Sequence, residues 1–182
     1  MQYQHPQELL EFVRFCRGKK VRRYLEIGSR WGDSFYAVMA ALPRPSFGVF
    51  VDIPESSEKC RSLTEAVLDL QTMGQEIVGF FGSSRSREMR EAIRKHAPFD
   101  LVFIDGDHTY RGVKADWDYY RNLAPIVALH DVSAPDNWVS DGKPNGVGRL
   151  WREIKSCGIG QITEFIVPSD RPMGYGIVQQ GA

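Results

Sequence analysis

Residues able to do chemistry gather in three stretches of this sequence. YLEIGSRWGDSF, residues 24–35, ends an apolar run near Glu26 and follows it with Gly28 and Gly32. IDGDHTY, residues 104–110, places Asp105, Asp107 and His108 after a second apolar run, and LHDV, residues 129–132, does the same with His130 and Asp131. Two glycines four apart, where a strand gives way to a helix, clear side chains from a ligand's path and leave helix N-terminal N–H groups to meet it. Acids and an imidazole in one mouth offer oxygen donors suited to magnesium, calcium or manganese, or a proton acceptor near neutral pH.

Such residues need a scaffold that brings their strand ends together. Branched and aromatic runs read as strands in RRYLEI, SFGVFVD, QEIVGFF, FDLVFID, IVALHD, ITEFIV and GYGIVQQ. A helical pattern opens at Pro6 and stops at Gly18, and further helices are expected over residues 32–42, 56–73, 86–96 and 109–123. This alternation predicts right-handed crossovers and an α/β, Rossmann-like doubly wound sheet of seven strands, mostly parallel, with a C-terminal antiparallel hairpin. Ligands bind such sheets outside the carboxyl ends of the strands. Those ends read Glu26-Ile-Gly28, Asp52, Gly82-Ser83-Ser84, Asp105-Gly-Asp107-His108 and His130-Asp131. After the fifth strand, SAPDNWVSDGKPNGVG, residues 133–148, is long enough to be a lid, with disorder as the other reading.

A chain of 182 residues suits one domain, 1–182, with a full core. Its 23 basic and 23 acidic residues cancel, so no global field recruits nucleic acid or an anionic membrane. The basic group Lys19, Lys20, Arg22 and Arg23 has no aromatic interleaved and reads as a solvated flank. Cys16, Cys60 and Cys157 lie far apart, which argues against a disulfide framework or zinc knuckle and fits a reducing cytoplasm. The chain shows no leader pattern and no apolar run of bilayer-spanning length, so a soluble, unexported protein is expected.

A dinucleotide fingerprint would need glycines where Arg30 and Asp33 stand, and no phosphate-loop string occurs. Glu26-x-Gly28-x-x-x-Gly32 followed by Asp52 suits a ligand with an amino-acid part and a nucleoside but no pyrophosphate. This pattern, over roughly residues 20–167, resembles class I S-adenosylmethionine-dependent methyltransferases. The resemblance implies that Glu26, Gly28, Ser29 and Gly32 surround the methionine part of S-adenosylmethionine, and that Asp52 binds the ribose. It also implies that Gly82 and Ser83 border the adenine and that Asp105 completes the cofactor set.

Two branches of that class are similar to the later stretches. One holds metal-dependent O-methyltransferases such as catechol O-methyltransferase, the other cephalosporin-hydroxylase-like and macrolide-sugar O-methyltransferases. IDGDHTY, LHDV and NGVGRLWREI resemble the second more closely. By position, Asp105 would be a metal ligand, His108 would take the hydroxyl proton, and His130 with Asp131 would complete a magnesium or manganese set. A histidine in that set also leaves open a softer metal or none. The resemblance thus implies O-methylation of a small hydroxylated acceptor, with His108 as base and His130 in reserve.

Beside these, Asp107 or Thr109 reads as a helix cap, His5 and His96 as surface residues, and Trp31 as a neighbour of either the cofactor or the first helix. Trp138 and Tyr3 are expected to close the site, and a homodimer is left open. The competing class is a cofactor-binding interaction protein without catalysis. A nitrogen methyltransferase would need an Asn/Asp-Pro-Pro-aromatic string, where IDGDHTY stands instead.

Overall fold

The computed structural model describes residues 4–53, 56–140, 142–170 and 172–181. In chain order the elements are α1 (Pro6–Gly18), β1 (Arg23–Ile27), α2 (Asp33–Ala41), β2 (Phe47–Asp52), α3 (Ser57–Thr72), β3 (Glu76–Phe81), α4 (Arg87–Arg94) and β4 (Leu101–Ile104). There follow α5 (Tyr110–Tyr120), β5 (Ile126–His130), β6 (Val139–Ser140), β7 (Lys143–Pro144), α6 (Val147–Ser156), β8 (Gly160–Phe165) and β9 (Tyr175–Gln180). Seven strands form one sheet in the order β3-β2-β1-β4-β5-β9-β8. The first five are parallel, and β9 runs antiparallel to both β5 and β8, as the sequence predicts.

Alternation along the strands divides the core. Leu25, Ile27, Val49, Val51, Val102, Ile104, Val127 and Leu129 pack with Ile93 of α4, Trp117 of α5 and Trp151 of α6. Tyr24, Phe50, Leu101, Phe103 and Ala128 pack on the other face with Phe12 of α1, Phe35 of α2 and Leu63 of α3. Both faces of the central strands are therefore covered, which is why they read as nearly continuous apolar runs. Phe12 seats α1 by stacking on Tyr175 at 4.7 Å and tilting against Phe103 at 5.1 Å.

Connections from β1 lead outward through β2 to β3, and the chain then returns to place β4 on the other side of β1. The divergence leaves a crevice at the carboxyl ends of β1 and β4, the usual ligand position in such sheets.

The described parts of the long connection after β5, residues 133–140 and 142–148, are not all coil. They contain the β6–β7 hairpin and the start of α6, a helix missing from the expected set. Leu150, Trp151 and Ile154 supply its buried stripe at helical spacing. The basic flank is tied down: Arg23 donates from Nε to Pro98 O at 2.7 Å, and Asp100 accepts both the Arg22 and Arg23 N–H groups. No helix among the described residues is long and apolar enough to cross a membrane.

Candidate active site

The glycine turn follows β1 directly. Gly28 has φ +88°, a conformation open to glycine, and a Cβ there would lie 2.4 Å from Asp105 O and 2.5 Å from Gly106 Cα. What crowds the first glycine is therefore the backbone at the end of β4, where the sequence reading placed a ligand. Gly32, at φ +92°, is the N-cap of α2 and faces Leu63 and Ala66 of α3. Both glycines let the turn pack tightly between neighbouring elements.

Glu26 also departs from expectation. It is completely buried, accepting from Tyr24 Oη at 2.6 Å and Ser34 Oγ at 2.8 Å, and it lines neither cavity described below. Burial pushes its carboxyl up to about 8 against the pull of those hydrogen bonds. Ser29 adds a weaker pull without reaching hydrogen-bond geometry. Glu26 thus braces the turn from beneath, because β1 points it into the face covered by α1 and α2.

Two cavities open at the strand ends. The larger, of about 680 Å³, is walled by Gly28, Ser29 and Trp31 of the turn, by Ser34 of α2, by Leu9, Leu10 and Val13 of α1, and by Trp138 and Val139 at the hairpin. The smaller, of about 290 Å³, is lined by Asp52, Ile53, Gly82, Ser83, Ser84 and the Gly106–Thr109 segment. Gly28, Arg30, Asp105, His108 and Ser140 line both. Asp52 accepts from the Arg30 N–H, which fixes its carboxylate at the turn. Burial raises its pKa, with the Arg30 and Ile53 N–H groups and Lys59 opposing. In the turn, the buried Trp31 Nε1 and Ser29 Oγ have no hydrogen-bond partner. Tyr3 lies outside the described residues.

Asp105, His108, His130 and Asp131 converge as the sequence predicts. His108 Nδ1 is 2.9 Å from Asp131 Oδ2, and His130 Nδ1 is 3.3 Å from both Asp105 Oδ1 and Asp131 Oδ1. Burial disfavours the charged form of His130, but the two carboxylates outweigh it and raise its pKa above the ordinary histidine value. A raised pKa favours the protonated imidazole, the form that cannot accept a further proton. Asp131 shows the converse: burial works against its charge, yet the His108 hydrogen bond and both imidazoles hold its carboxyl below the usual range. Its φ of 61° is rare for a non-glycine residue and costly, a feature that clusters at functional sites.

The predicted metal set fares differently. Asp105, His130 and Asp131 meet, but they are engaged with one another and with His108, Gln4 and Asn145. Among the described residues, no group of three or more His, Cys, Asp or Glu side chains is arranged to hold a metal ion.

Helix capping accounts for two nearby residues, as the sequence suggested. Thr109 Oγ1 accepts from the Gly112 N–H, and Asp107 Oδ1 accepts from the Thr109 N–H. His5 caps α1 by accepting from the Gln7 N–H, while His96 is half-buried between the rings of Phe47 and Phe80.

Sequence reasoning missed Gln4 and Asn145. Gln4 donates to Asp105 Oδ2 at 3.2 Å and accepts from Tyr175 Oη at 2.8 Å. Asn145, buried, donates to Asp131 Oδ2 at 3.0 Å and to Ser140 Oγ at 3.2 Å, and accepts from the Val147 N–H at 2.9 Å. The Gly146 N–H donates to His108 O. The stem of the hairpin therefore grips both members of the His108–Asp131 pair.

The fold is shared with solved enzymes. An O-methyltransferase from Bacillus cereus in complex with S-adenosylhomocysteine superposes with a TM-score of 0.73 at 16% identity, covering 97% of this chain and 82% of that one. The O-methyltransferase TomG from Streptomyces achromogenes, involved in tomaymycin synthesis and in complex with S-adenosylmethionine, gives 0.66 at 20% identity, covering 99% and 82%. No curated protein matches the sequence closely enough to count as a relative. A family model described as a methyltransferase domain matches residues 25–132, the span from β1 through the glycine turn to the His130–Asp131 pair, and on that match the chain belongs to this methyltransferase family.

Proposed function

We propose that this protein transfers a methyl group from S-adenosylmethionine to a hydroxyl of a small acceptor, with His108 as the proton acceptor. The observation that carries the reading is the place of His108: it lines both cavities, and its Nδ1 lies 2.9 Å from a buried aspartate. A carboxylate on Nδ1 orients an imidazole and stabilises the cation that forms when the other nitrogen takes a proton.

The residues present suit the cofactor. Asp52 offers a carboxylate to a ribose diol, Gly82 and Ser83 border space for a base, and Asp105 offers an acceptor to an α-ammonium. Trp31 Nε1 and Ser29 Oγ, buried without partners in the turn, are available to an α-carboxylate. When bound, the cofactor supplies the electrophilic methyl. The chain's part is to align the acceptor oxygen, exclude water and take the proton, and alignment alone supplies a large share of such a barrier. Leu9, Leu10, Val13, Trp138 and Val139 would hold the acceptor's body in the larger cavity. No step is assigned to a metal.

Calorimetric titration with S-adenosylhomocysteine, then a radiolabelled transfer assay over phenolic and sugar acceptors, tests this. His108→Ala should abolish transfer while leaving S-adenosylhomocysteine affinity within about threefold. Transfer at the wild-type rate in that variant would remove His108 from the mechanism. No binding of S-adenosylhomocysteine to the wild type would favour a non-catalytic interaction protein.

A further inference from the structure

The larger cavity changes character from its buried end to its mouth. The buried end holds Asp105, His130 and Asp131, and Leu9 and Val13 of α1 with Trp138 continue the wall in apolar groups. That wall does not stop where the cavity opens. Leu10 is 46% exposed and Val139 56% exposed, and both line the cavity, one from α1 and the other from β6. Ile166, also exposed, stands against Gly174, whose neighbour Met173 lines the cavity too. Folding leaves these side chains in water, so their apolar area remains for a ligand to cover. Exposed apolar groups from three segments at one opening mark a ligand path in a way that a single exposed leucine does not. Charge points the same way. Among the described residues, Arg30 is the one arginine or lysine in the wall, against the carboxylates of Asp33, Asp105 and Asp131. An anionic acceptor would meet like charge there.

We propose that the acceptor is an uncharged amphipathic molecule whose hydroxyl reaches His108 while an apolar chain leaves the cavity across Leu10 and Val139. The inference rests on the transfer reading above and adds to it an acceptor class and two specificity-determining residues. A cavity of about 680 Å³ encloses most of a drug-sized molecule, so a chain that continues past it covers the exposed pair as well. A free sugar, a nucleotide or a coenzyme A thioester brings hydroxyls or phosphates to the mouth in place of that chain, and leaves the same apolar area wet.

Calorimetry on the protein saturated with S-adenosylhomocysteine tests this with two probe series, 4-alkylphenols and n-alkyl glucosides of increasing chain length, and with 4-hydroxybenzoate as the anionic control. Affinity should rise about two- to fourfold per methylene in whichever series binds, fourfold being the value for full burial. The anionic control should bind at least about tenfold more weakly than 4-methylphenol. Leu10→Ser combined with Val139→Ser should cut the rise to below about 1.5-fold per methylene. Its S-adenosylhomocysteine affinity should stay within about threefold of the wild type, because neither residue belongs to the glycine turn or the smaller cavity. Leu68→Ser, 58% exposed on α3 and outside both cavities, should keep the wild-type rise. All three positions are exposed, so these variants retain the fold. Affinity independent of chain length, an unchanged rise in the double variant, or an equal loss in Leu68→Ser overturns the proposal, as does tighter binding of 4-hydroxybenzoate than of 4-methylphenol. Failure of every probe to bind while S-adenosylhomocysteine binds overturns the acceptor class alone. A wild type that does not bind S-adenosylhomocysteine overturns the transfer reading and this inference with it.

Discussion

Replacing Gly28 with alanine separates two reasons for a glycine in the turn, and Gly74 provides the reference. Both have strongly positive φ, +88° and +91°, but an added Cβ at Gly74 meets nothing within 4 Å, whereas at Gly28 it would lie 2.4 Å from Asp105 O. Gly74→Ala therefore carries only the conformational term, about 1–2 kcal/mol. Gly28→Ala carries that and an overpacking term of about 1–3 kcal/mol, for a total of about 2–5 kcal/mol. For a domain of this size 1 kcal/mol moves Tm by about 2–4 °C, so Gly74→Ala should lower Tm by about 2–8 °C and Gly28→Ala by about 4–20 °C. Thermal unfolding followed by circular dichroism without ligand reads both. Equal losses would refute the backbone-packing argument. An unchanged Tm in Gly28→Ala with lost S-adenosylhomocysteine binding would return the glycine to a ligand role. The same reasoning makes Gly28 a poor choice for a binding-deficient control, because its loss disturbs the β4 end that carries Asp105.

Other predictions follow from charge and position. Glu26 has a folded pKa of about 8, above its unfolded value of 4.5, so the unfolded chain releases this proton first and stability from this group falls as pH rises between those values; Glu26→Gln should flatten that part of a Tm-against-pH curve, and an unchanged slope would count against the buried acid as its cause. Chelation with EDTA should leave transfer unaffected, whereas loss restored by magnesium or manganese would reinstate Asp105, His130 and Asp131 as a metal set. Asp131→Asn should lower turnover by about 10²–10⁴-fold with little change in S-adenosylhomocysteine affinity, since it removes the carboxylate behind His108; a simple rise in KM for the acceptor would contradict that role. Asn145→Ala should lower turnover by about tenfold, because Asp131 loses one fixing donor of a kind worth about 0.5–1.5 kcal/mol, and an unchanged turnover would dismiss Asn145 as a positioning residue.

The sheet was legible because its strands are short branched and aromatic runs, apolar on both faces, a signal contained within single segments. Leu25 and Ile27 belong to one face and Tyr24 to the other, and that alternation depends on no distant residue. Strand-end acids were legible for the same reason, since topology alone brings Asp52, Asp105 and Asp131 to one edge. Helix α6 was obscured by the Pro, Gly and Asn signals before it, although Leu150, Trp151 and Ile154 carried the helical spacing. Gln4 left no trace, because its partners stand 101 and 171 residues away and no local pattern encodes them. The two glycines were read as clearing room for a ligand because a sequence cannot distinguish a visiting molecule from the neighbouring β4 backbone.

Glu8 has a bearing on the order in which the chain is made. It is buried in α1 and accepts from the N–H groups of Val167 and Gly174, 159 and 166 residues downstream. Helix α1 supplies Leu9, Leu10 and Val13 to the larger cavity. On the ribosome this first helix must wait, its acid unanswered and its apolar stripe unseated, until the penultimate strand and the turn after it have emerged. The residues lining the smaller cavity all precede position 144 and are made well before then. The α1 wall of the larger cavity is thus the last part of the site to close, and transplanting α1 into a related scaffold would have to bring the segment that follows β8 with it.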